Sequence, residues 1–533
     1  MKKNLLGVSL ITLSCLYGIL AAVIILVCMF TGIPIEFGII LSIIIIIVQF
    51  LISPAINDFI FKHFYGVQWG AQLPDYLTEF IRESCANHNM KFPKIGVIYD
   101  GSPNAFTYGR TKNDARVVIT QGILNLLDEE EVKSVVAHEL GHANHYDMLF
   151  MTVAQIVPLV LYYVYRAMFR ASERRSSKKN DSGYTALIGA IAYVLYIISQ
   201  YIILWLSRTR EYYADSFSIE ETRNPSGLAN ALVKIGFGLA VGDREKESDV
   251  ARTSNTLGIN DAKISKGMAI SAYNDGGLSK ESIVNAMKWE KWNVWAKWHE
   301  INSTHPLISK RLLAISARCE EFGQAPYIEF NEKKPESYVD DFLIELLILL
   351  APSVIFIISC IFVVLNILFA TNNAHIVAGI GGILFAISLF IKLNRTHKNK
   401  DYTERKVADL LGEVKVSNVT SIPVILEGRI IGRGNPGCIF NEDFVIQDDT
   451  GIIFLDYNQP IHIINKIFAL FKSPEYFDKT IKVKGWYRRS TVPYMEIYSM
   501  EVDGQIKKCH TYTATKVVIY ILMVISIILL LMH

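Results

Sequence analysis

Residues 128–147 read DEEEVKSVVAHELGHANHYD, and this stretch decides how the rest of the chain is interpreted. It contains the pattern H-E-x-x-H, formed by His138, Glu139 and His142. Residues four apart on a helix lie one above the other, so both imidazoles can reach one metal ion. Glu139 projects beside that ion, where it can take a proton from a metal-bound water. The pattern predicts a zinc site; the alternative is a surface helix with two solvated histidines.

The residues before the pattern predict that it lies inside a helix. Asp128 is followed three residues later by Glu131, which is a capping-box signature, and the acidic first turn suits the helix dipole. An apolar stripe at helical spacing then follows, formed by Val132, Val135, Val136 and Leu140. The two histidines are therefore predicted on one helix, as a shared metal ion requires.

The composition is typical of a membrane protein. Of the 533 residues, 51% are hydrophobic, and the mean hydropathy is +0.28. The net charge of +2 gives no case for a nucleic-acid partner, and none is expected. The 7 cysteines show no C-x-x-C spacing, so they support neither a disulfide framework nor a cysteine-based zinc site.

Long uncharged segments predict about seven transmembrane helices, and the lipid bilayer is therefore an expected partner. A span needs about 20 residues to cross a hydrocarbon core of about 30 Å. The segment 346–391 is long enough for two spans with a turn near residue 373. The other segments are 4–35, 37–57, 148–165, 184–207 and 517–532, of which the last suits a tail anchor.

The two middle segments predict where a third metal ligand lies. The first leads away from His142 over about 36 Å of helix, and the second returns over nearly the same length. This hairpin brings Glu211 to the level of the H-E-x-x-H, as a third ligand that leaves a fourth position open for water. Asp215 follows one turn later and can hold a ligand imidazole. The alternative for Glu211 is a surface charge at a helix end.

His145 is a competing candidate ligand, three residues after His142 on much the same helix face. Three histidines from one helix would leave Glu211 unused and would crowd a tetrahedral ion. The other interpretation places His145 beside the ligands or in solvent.

Four motifs together resemble the integral-membrane metalloproteases of peptidase family M48, and most closely the HtpX-type quality-control proteases. The motifs are H-E-x-x-H at 138–142, Ser207-Arg208-x-x-Glu211-x-x-x-Asp215, Pro103-Asn104-Ala105-Phe106, and Ser303-Thr304-His305-Pro306 with Lys310-Arg311-Leu312. They occur in the family's order and cover roughly residues 1–320. The resemblance implies a zincin-type fold and one Zn²⁺ per chain, held by His138, His142 and Glu211, with Glu139 as catalytic base.

The same resemblance implies roles for residues outside the metal site. Asn104, Ala105 and Phe106 would line the substrate cleft, and His305 would approach the site and steady the oxyanion. The alternative for His305 is a residue that opens a turn before Pro306. The expected substrates are polypeptides, above all damaged or unassembled membrane proteins.

The residues before the helix predict short strands at 94–99 and 115–120, because both runs are rich in β-branched residues. Residues 101–110 between them predict a turn and a third short strand. An extended peptide substrate can pair with an exposed strand edge of this kind. A plain β-hairpin packed on the helix is the alternative.

Residues 405–505 change in character and predict a small barrel of the OB kind, outside the resemblance. Asp449-Thr450-Gly451 is typical of a hairpin turn between two β-rich runs. OB folds often bind nucleic acid, but no aromatic and basic stripe is present, so a protein-interaction or regulatory role is preferred. The basic residues Lys482, Lys484, Arg488 and Arg489 are expected to be solvated or to face headgroups.

Tryptophan recurs at every third position from Trp289 to Trp298. Two interpretations are open. An amphipathic helix at the membrane surface uses tryptophan in this way, with flanking lysines. Buried packing against the catalytic domain is the alternative, since a three-residue period drifts around a helix.

The sequence thus predicts a mostly α-helical membrane protein, with a zincin-type metalloprotease domain and a small OB-like barrel. The predicted parts are two N-terminal transmembrane helices in 1–60, the metalloprotease domain in 61–340 with the transmembrane hairpin 148–207, two transmembrane helices in 341–392, the barrel in 400–510 and a C-terminal anchor in 515–533. Lys2, Lys3 and the basic run 392–400 favour a cytoplasmic catalytic site in the cell membrane, whereas the basic loop 166–183 contradicts it.

Three functions are compatible with these predictions. The first is a membrane-embedded zinc endopeptidase for quality control, in which Glu139 assists the attack of a zinc-bound water. The second is a CAAX-type protease that processes prenylated proteins. The third is a non-catalytic membrane scaffold with a structural zinc, and the intact Glu139 argues against it because a structural site needs no base.

Overall fold

The computed structural model describes nine stretches of the chain and is mostly helical. The described residues are 5–31, 35–174, 182–241, 273–274, 277–333, 335–369, 373–399, 401–434 and 442–532. They divide into two compact units. The first holds the described residues of 1–238 and 299–329, and the second holds those of 239–245, 263–298 and 330–533.

Helices and strands are numbered in chain order. The helices are α1 (Leu5–Thr31), α2 (Ile35–Phe64), α3 (Asp75–Asn87), α4 (Gln121–Leu126), α5 (Glu129–Asn144), α6 (Asp147–Arg174), α7 (Ser182–Thr222), α8 (Pro225–Val241), α9 (Lys280–Trp292), α10 (Val294–Ile301), α11 (Ile308–Ser316), α12 (Val339–Leu368), α13 (Ala374–Thr396), α14 (Val407–Leu411), α15 (His462–Phe471) and α16 (Thr511–Leu531). The strands are β1 (Gln68–Trp69), β2 (Lys94–Ile98), β3 (Ala105–Gly109), β4 (Ala115–Thr120), β5 (Tyr273–Asn274), β6 (Gly277–Leu278), β7 (Thr403–Glu404), β8 (Ile422–Arg433), β9 (Phe444–Gln447), β10 (Ile452–Asp456), β11 (Thr480–Arg489), β12 (Pro493–Val502) and β13 (Gln505–Lys508).

Six of the described helices are long and apolar enough to cross a membrane, namely α1, α6, α7, α12, α13 and α16. They coincide with six of the seven predicted spans. The remaining predicted span, 37–57, lies in α2, and several side chains of that helix are outside the described residues. The predicted hairpin is present, with α7 continuing as one helix past Glu211 to Thr222.

The first unit contains a four-stranded sheet in the order β1-β2-β4-β3. Strand β4 pairs in parallel with β2 and antiparallel with β3, which leaves β3 at an edge. All three strands predicted from the sequence are therefore present. The edge position of β3 is the arrangement that a peptide could extend by adding a strand.

Helix α5 begins and packs as its sequence predicts. The backbone N–H of Glu131 donates to the Asp128 carboxylate at 2.9 Å, and the Glu131 carboxylate accepts from the Asp128 N–H at 3.1 Å. Such a cap contributes about 1 kcal/mol. The predicted stripe is fully buried, at 0% exposure for each member, namely Val132, Val135, Val136 and Leu140. This packing fixes the rotation of α5 and hence the direction of its histidines.

The second unit contains a closed five-stranded barrel, which confirms the OB-like prediction. Its strands pair in the cycle β8-β9-β10-β12-β11, with β10 and β12 parallel and α15 between β10 and β11. The predicted turn is present, because the Asp448 carboxylate accepts from the N–H groups of Thr450 and Gly451 at 2.7 and 2.8 Å.

Two expectations about side chains of the second unit are wrong. Arg489 is not solvated: it is 2% exposed and donates to the carbonyls of Leu411 and Ala286. Arg488 pairs with Glu496 at 2.8 Å. The barrel therefore uses both guanidinium groups for internal packing rather than for a solvated or headgroup-facing surface.

The tryptophan run forms two helices, α9 and α10, because Asn293 ends the first. Trp289 and Trp295 are buried, and their indole N–H groups donate to the Val416 carbonyl and the Glu345 carboxylate at 2.8 and 2.6 Å. The buried alternative thus applies to these two residues. Their partners belong to the C-terminal segments rather than to the catalytic domain, which corrects the predicted packing.

Candidate metal and active site

Three side chains from two helices converge at the predicted metal site. His138 and His142 on α5 face each other with their Nε2 atoms 3.2 Å apart. Glu211 on α7 places one oxygen 3.5 Å from Nε2 of His138 and the other 3.5 Å from Nε2 of His142. A tetrahedral zinc ion bound at about 2.0–2.1 Å separates its ligand atoms by about 3.3–3.4 Å. The three side chains therefore fit a tetrahedral metal ion.

The burial of these groups supports the same conclusion. The Oε2 atom of Glu211 is buried and accepts no hydrogen bond from any described residue. A buried carboxylate oxygen without a hydrogen bond is costly unless positive charge neutralises it. Arg311, whose Nη1 lies 3.5 Å from Oε2, supplies part of that charge, and a bound metal ion would add to it. Across the described ranges, no other set of three His, Cys, Asp or Glu side chains comes together in this way. The chain thus holds a group of ligands, His138, His142 and Glu211, that could bind a metal.

A carboxylate lies behind each histidine. Nδ1 of His138 lies 3.0 Å from Asp215 on α7, as predicted, and Nδ1 of His142 lies 2.7 Å from Asp147 at the start of α6. A carboxylate at Nδ1 fixes the ring orientation and leaves Nε2 to bind a metal. Burial acts to lower the pKa of His138, but Asp215 and Glu211 outweigh it and raise that pKa above its ordinary value.

Two buried arginines compensate these carboxylates. Arg311 on α11 is fully buried and donates to both oxygens of Asp215, at 2.9 and 2.6 Å. Arg210 on α7 is 2% exposed and contacts the carboxylate of Asp147. Buried charges require such pairing because an unpaired charge in a protein interior costs several kcal/mol. The site is therefore built on charge pairs that extend beyond the ligands themselves.

Glu139 is 2% exposed and follows His138 directly on α5. Burial raises the pKa of Glu139 above its ordinary value, and the nearby His142 and His138 only partly oppose that rise. A raised pKa suits a carboxyl group that must accept a proton and then release it.

His305 also lies at the site. Its Nε2 is 3.6 Å from Glu211 Oε1, and its Nδ1 is 2.9 Å from the Thr304 hydroxyl. The loop before it is held by Arg208, whose guanidinium donates to the carbonyls of Glu300, Ile301 and Ser303. The structure thus brings His305 next to the predicted ligands.

The remaining predicted residues occupy different places. Asn104 and Ala105 are buried at the start of the edge strand β3. The backbone N–H of Asn104 donates a hydrogen bond to the Thr120 hydroxyl at 2.8 Å. Phe106 points into a core cluster that includes Phe61 and Val118, so its side chain does not line an open cleft.

His145 is not part of the ligand group. It caps the C-terminal end of α5, and its ring lies 6.3 and 5.9 Å from the rings of Tyr213 and Phe217. The structure therefore places the His145 ring against α7 and outside the group of candidate ligands.

Two residues of the site had no role in the sequence interpretation. Asp147 is the last residue of the stretch 128–147, and Arg210 directly precedes Glu211. No spacing rule connects either of them to His142. The signal available was Asp147 itself, a charge directly before an uncharged segment. Such a charge requires a partner once the segment enters a membrane.

Comparisons with known proteins give a consistent result. Residues 71–319 match the model of peptidase family M48. A protease HtpX homolog from Methanothermobacter thermautotrophicus is 39% identical over 191 residues, which are 36% of this chain and 69% of that protein. A protease HtpX homolog from Campylobacter hominis is 31% identical over 203 residues, covering 36% of this chain and 70% of its own length.

A solved structure is also similar, namely that of Ste24p from S. mikatae. It shares 17% sequence identity and covers 58% of this chain and 66% of its own, with a TM-score of 0.34.

Proposed function

Because this chain belongs to peptidase family M48, we propose that it is a membrane-embedded, zinc-dependent endopeptidase. Family membership makes it a protease of polypeptides, and its apolar helices make it an integral membrane protein. The observation that carries the proposal is the convergence of His138, His142 and Glu211 with ligand atoms within 4.8 Å of one another.

In this proposal His138, His142 and Glu211 hold one zinc ion. A zinc ion in such a site polarises the scissile carbonyl and lowers the pKa of water toward about 7. Glu139 takes the proton of the attacking water on its carboxylate and delivers it to the leaving amine nitrogen. His305 donates a hydrogen bond to the carbonyl oxygen as negative charge develops there.

Other residues keep these groups in position. Asp215 and Asp147 hold the two imidazole rings, and Arg311 and Arg210 neutralise those carboxylates. The edge strand β3 offers free backbone groups to an extended substrate next to α5, starting after Asn104. An extended chain fits this arrangement better than a folded one, which agrees with a role in removing damaged or unassembled membrane proteins.

The test of the ligand set is the zinc content of the purified full-length protein in lipid nanodiscs. We expect about one zinc per chain in the parent and in His145→Ala, and a loss of zinc in Glu211→Ala, because two imidazoles alone hold zinc weakly. Glu220→Ala, on the same helix, is the matched control. Unchanged zinc in Glu211→Ala would reject Glu211 as a ligand and favour His145.

We further propose that the catalytic side faces the cytoplasm. The basic residues that end α13 and follow it, among them Lys392 and Lys398, support this orientation. A cysteine introduced at the exposed Gly101 should react with a membrane-impermeant maleimide only in opened cells. Additional labelling in intact cells, relative to the parent, would reverse the assignment.

A further inference from the structure

A groove of about 420 Å³ opens between the two helices of the transmembrane hairpin, α6 and α7. Its walls carry both aromatic rings and polar side chains, among them Gln155, Tyr162, Tyr196, Gln200, Ser207 and Thr304. Apolar residues of the same two helices complete the lining. The groove therefore combines a place in the transmembrane hairpin with several polar side chains.

The two glutamines lie at membrane depth. Gln155 lies eight residues after the start of α6 at Asp147, about 12 Å along the helix. Gln200 lies eleven residues before Glu211, about 16 Å from it along α7. Neither side-chain amide forms a hydrogen bond within the described part of the chain. Gln155 is exposed and Gln200 is half-buried. In hydrocarbon an amide without a partner is costly, so an occupant that offers hydrogen-bonding groups suits this groove.

Two residues that line the groove are close in sequence to residues of the candidate active site. Ser207 lies one helical turn before Glu211. Thr304 is the residue before His305, and its hydroxyl lies 2.9 Å from that imidazole. A chain lying in the groove would therefore approach the candidate metal ligands at the end of the groove that Ser207 and Thr304 form.

We propose that this groove admits a non-helical stretch of a membrane-inserted polypeptide and guides it to the metal site. Within lipid, a chain that leaves the helical state exposes N–H and C=O groups that water cannot satisfy. A glutamine side chain carries the same donor and acceptor as a peptide group, so Gln155 and Gln200 can replace the lost pairing. The inference rests on the proposed endopeptidase function and assigns it membrane-embedded segments as substrates.

The first test uses the full-length protein in nanodiscs and compares two substrates that contain the same scissile sequence. One substrate is a transmembrane segment in the same nanodisc, and the other is a short soluble peptide. In Gln155→Leu/Gln200→Leu we expect cleavage of the embedded substrate to fall about 10- to 100-fold, since two hydrogen bonds are lost. Cleavage of the soluble peptide should stay within about twofold, because the ligands are untouched.

Tyr163→Leu is the matched control, because Tyr163 is 61% exposed on α6 and does not line the groove. It should leave both activities unchanged. An equal fall for both substrates in the double variant, or no fall for either, would overturn the proposal.

A second test does not depend on activity. In the Glu139→Gln background, a photoreactive amino acid at Leu204 in the groove should crosslink to the embedded substrate, and one at position 163 should not. Equal crosslinking at both positions, or none at Leu204, would reject the groove as the path. Loss of cleavage in Glu139→Gln tests the endopeptidase itself, so the two hypotheses can fail separately.

A separate observation concerns helix α15 of the barrel. One face of this helix packs inward through Phe468, whose ring stacks 4.1 Å from that of Tyr457. A neighbouring face is apolar yet exposed, with Ile463, Ile467 and Phe471 at 65%, 52% and 72% exposure. These positions recur at helical spacing, so they form one continuous stripe.

The segment before α15 is tied to the start of the spanning helix α16. The Thr511 hydroxyl donates to the Asn458 carbonyl at 2.6 Å, and the His510 N–H donates to the Gln459 side chain at 3.1 Å. The candidate membrane span of α16 begins at Thr511, so we expect α15 to begin near the membrane surface. We infer that the exposed stripe of α15 inserts into the interfacial region of the bilayer.

The test uses a photoreactive amino acid in the full-length protein, reconstituted in phosphatidylcholine vesicles. At Ile467 it should form adducts with phospholipid. The control position is Asp503, in the exposed turn before β13, which should form none. Absence of lipid adducts at position 467, or equal adducts at both positions, would contradict the insertion.

Discussion

The carboxylate of Asp147 lies 2.7 Å from Nδ1 of His142, although the two residues belong to different helices. The backbone between them explains the contact, because Tyr146 adopts a positive φ of 58°. This left-handed conformation is uncommon for a residue other than glycine. It turns the chain sharply after α5, so that the first residue of α6 returns to the histidine.

Replacing Asp147 should weaken the metal site without removing a ligand. In Asp147→Asn we expect metal affinity to fall about 10- to 100-fold. The carboxylate that orients the His142 ring and raises its basicity is then missing. Competition with a zinc chelator of known affinity measures the change. Glu130→Gln, on the surface of α5, is the control and should bind as the parent does. Unchanged affinity in Asp147→Asn would mean that the contact is incidental.

Gly141 on α5 lies directly against α7. A Cβ atom on Gly141 would lie 3.0 Å from Cβ of Phe217 and 3.2 Å from Cα of Ala214. Gly141→Leu should therefore displace α7 and move Glu211 away from the histidines, whereas Gly141→Ala requires a shift of only a few tenths of an ångström. We expect zinc content to be lost in the leucine variant and largely kept in the alanine variant.

Gly18→Leu provides the matched control for that comparison. A Cβ at Gly18 on α1 meets nothing within 4 Å, so the same substitution should leave the zinc content unchanged. A leucine variant of Gly141 with full zinc content would show that the close approach of the helices does not position Glu211.

The stability of the barrel should depend on pH through Asp456. Burial and the facing Glu496 raise the pKa of Asp456 to about 6. In the unfolded chain the pKa of Asp456 is about 3.9. The free energy of unfolding is therefore highest at low pH, where Asp456 is protonated in both states, and it falls as the pH rises through about 6. Asp456→Asn should therefore stabilise the barrel at pH 7.5, by at most about 3 kcal/mol, and by less at pH 4.5.

Hydrogen exchange of the peptides covering β10 to β12, compared between variants at the same pH, measures that difference. Asp449→Asn is the control, because Asp449 is exposed in the hairpin turn. It should show no stabilisation at pH 7.5. Equal protection in Asp456→Asn and the parent at pH 7.5 would contradict the assignment.

The convergence of His138, His142 and Glu211 was predictable because it depends on helical spacing and on the length of one helical hairpin. His138 and His142 follow from helical spacing, and Glu211 follows from two apolar segments of nearly equal length. Their placement in the structure agrees with that prediction, although only a metal measurement tests the ligand roles themselves. The predicted domain boundaries likewise stay a prediction.

The partners of these ligands were not predictable from spacing. The contact of Asp147 with His142 depends on the unusual backbone of Tyr146, and the pairing of Arg311 with Asp215 joins residues 96 positions apart. The tryptophan run was also not predictable in full. Its three-residue period does not show that the first helix ends at Asn293. In each case long-range packing, rather than local propensity, decides the conformation.

The most direct test of the account is the substitution Glu139→Gln in the purified full-length protein, with zinc content and cleavage of a membrane-embedded substrate measured on the same sample. The side chain keeps its size but cannot accept the proton of the attacking water. We predict about one zinc per chain, as in the parent, and cleavage reduced by about 10²- to 10⁴-fold. Cleavage at the parental rate with zinc retained would contradict the proposed mechanism.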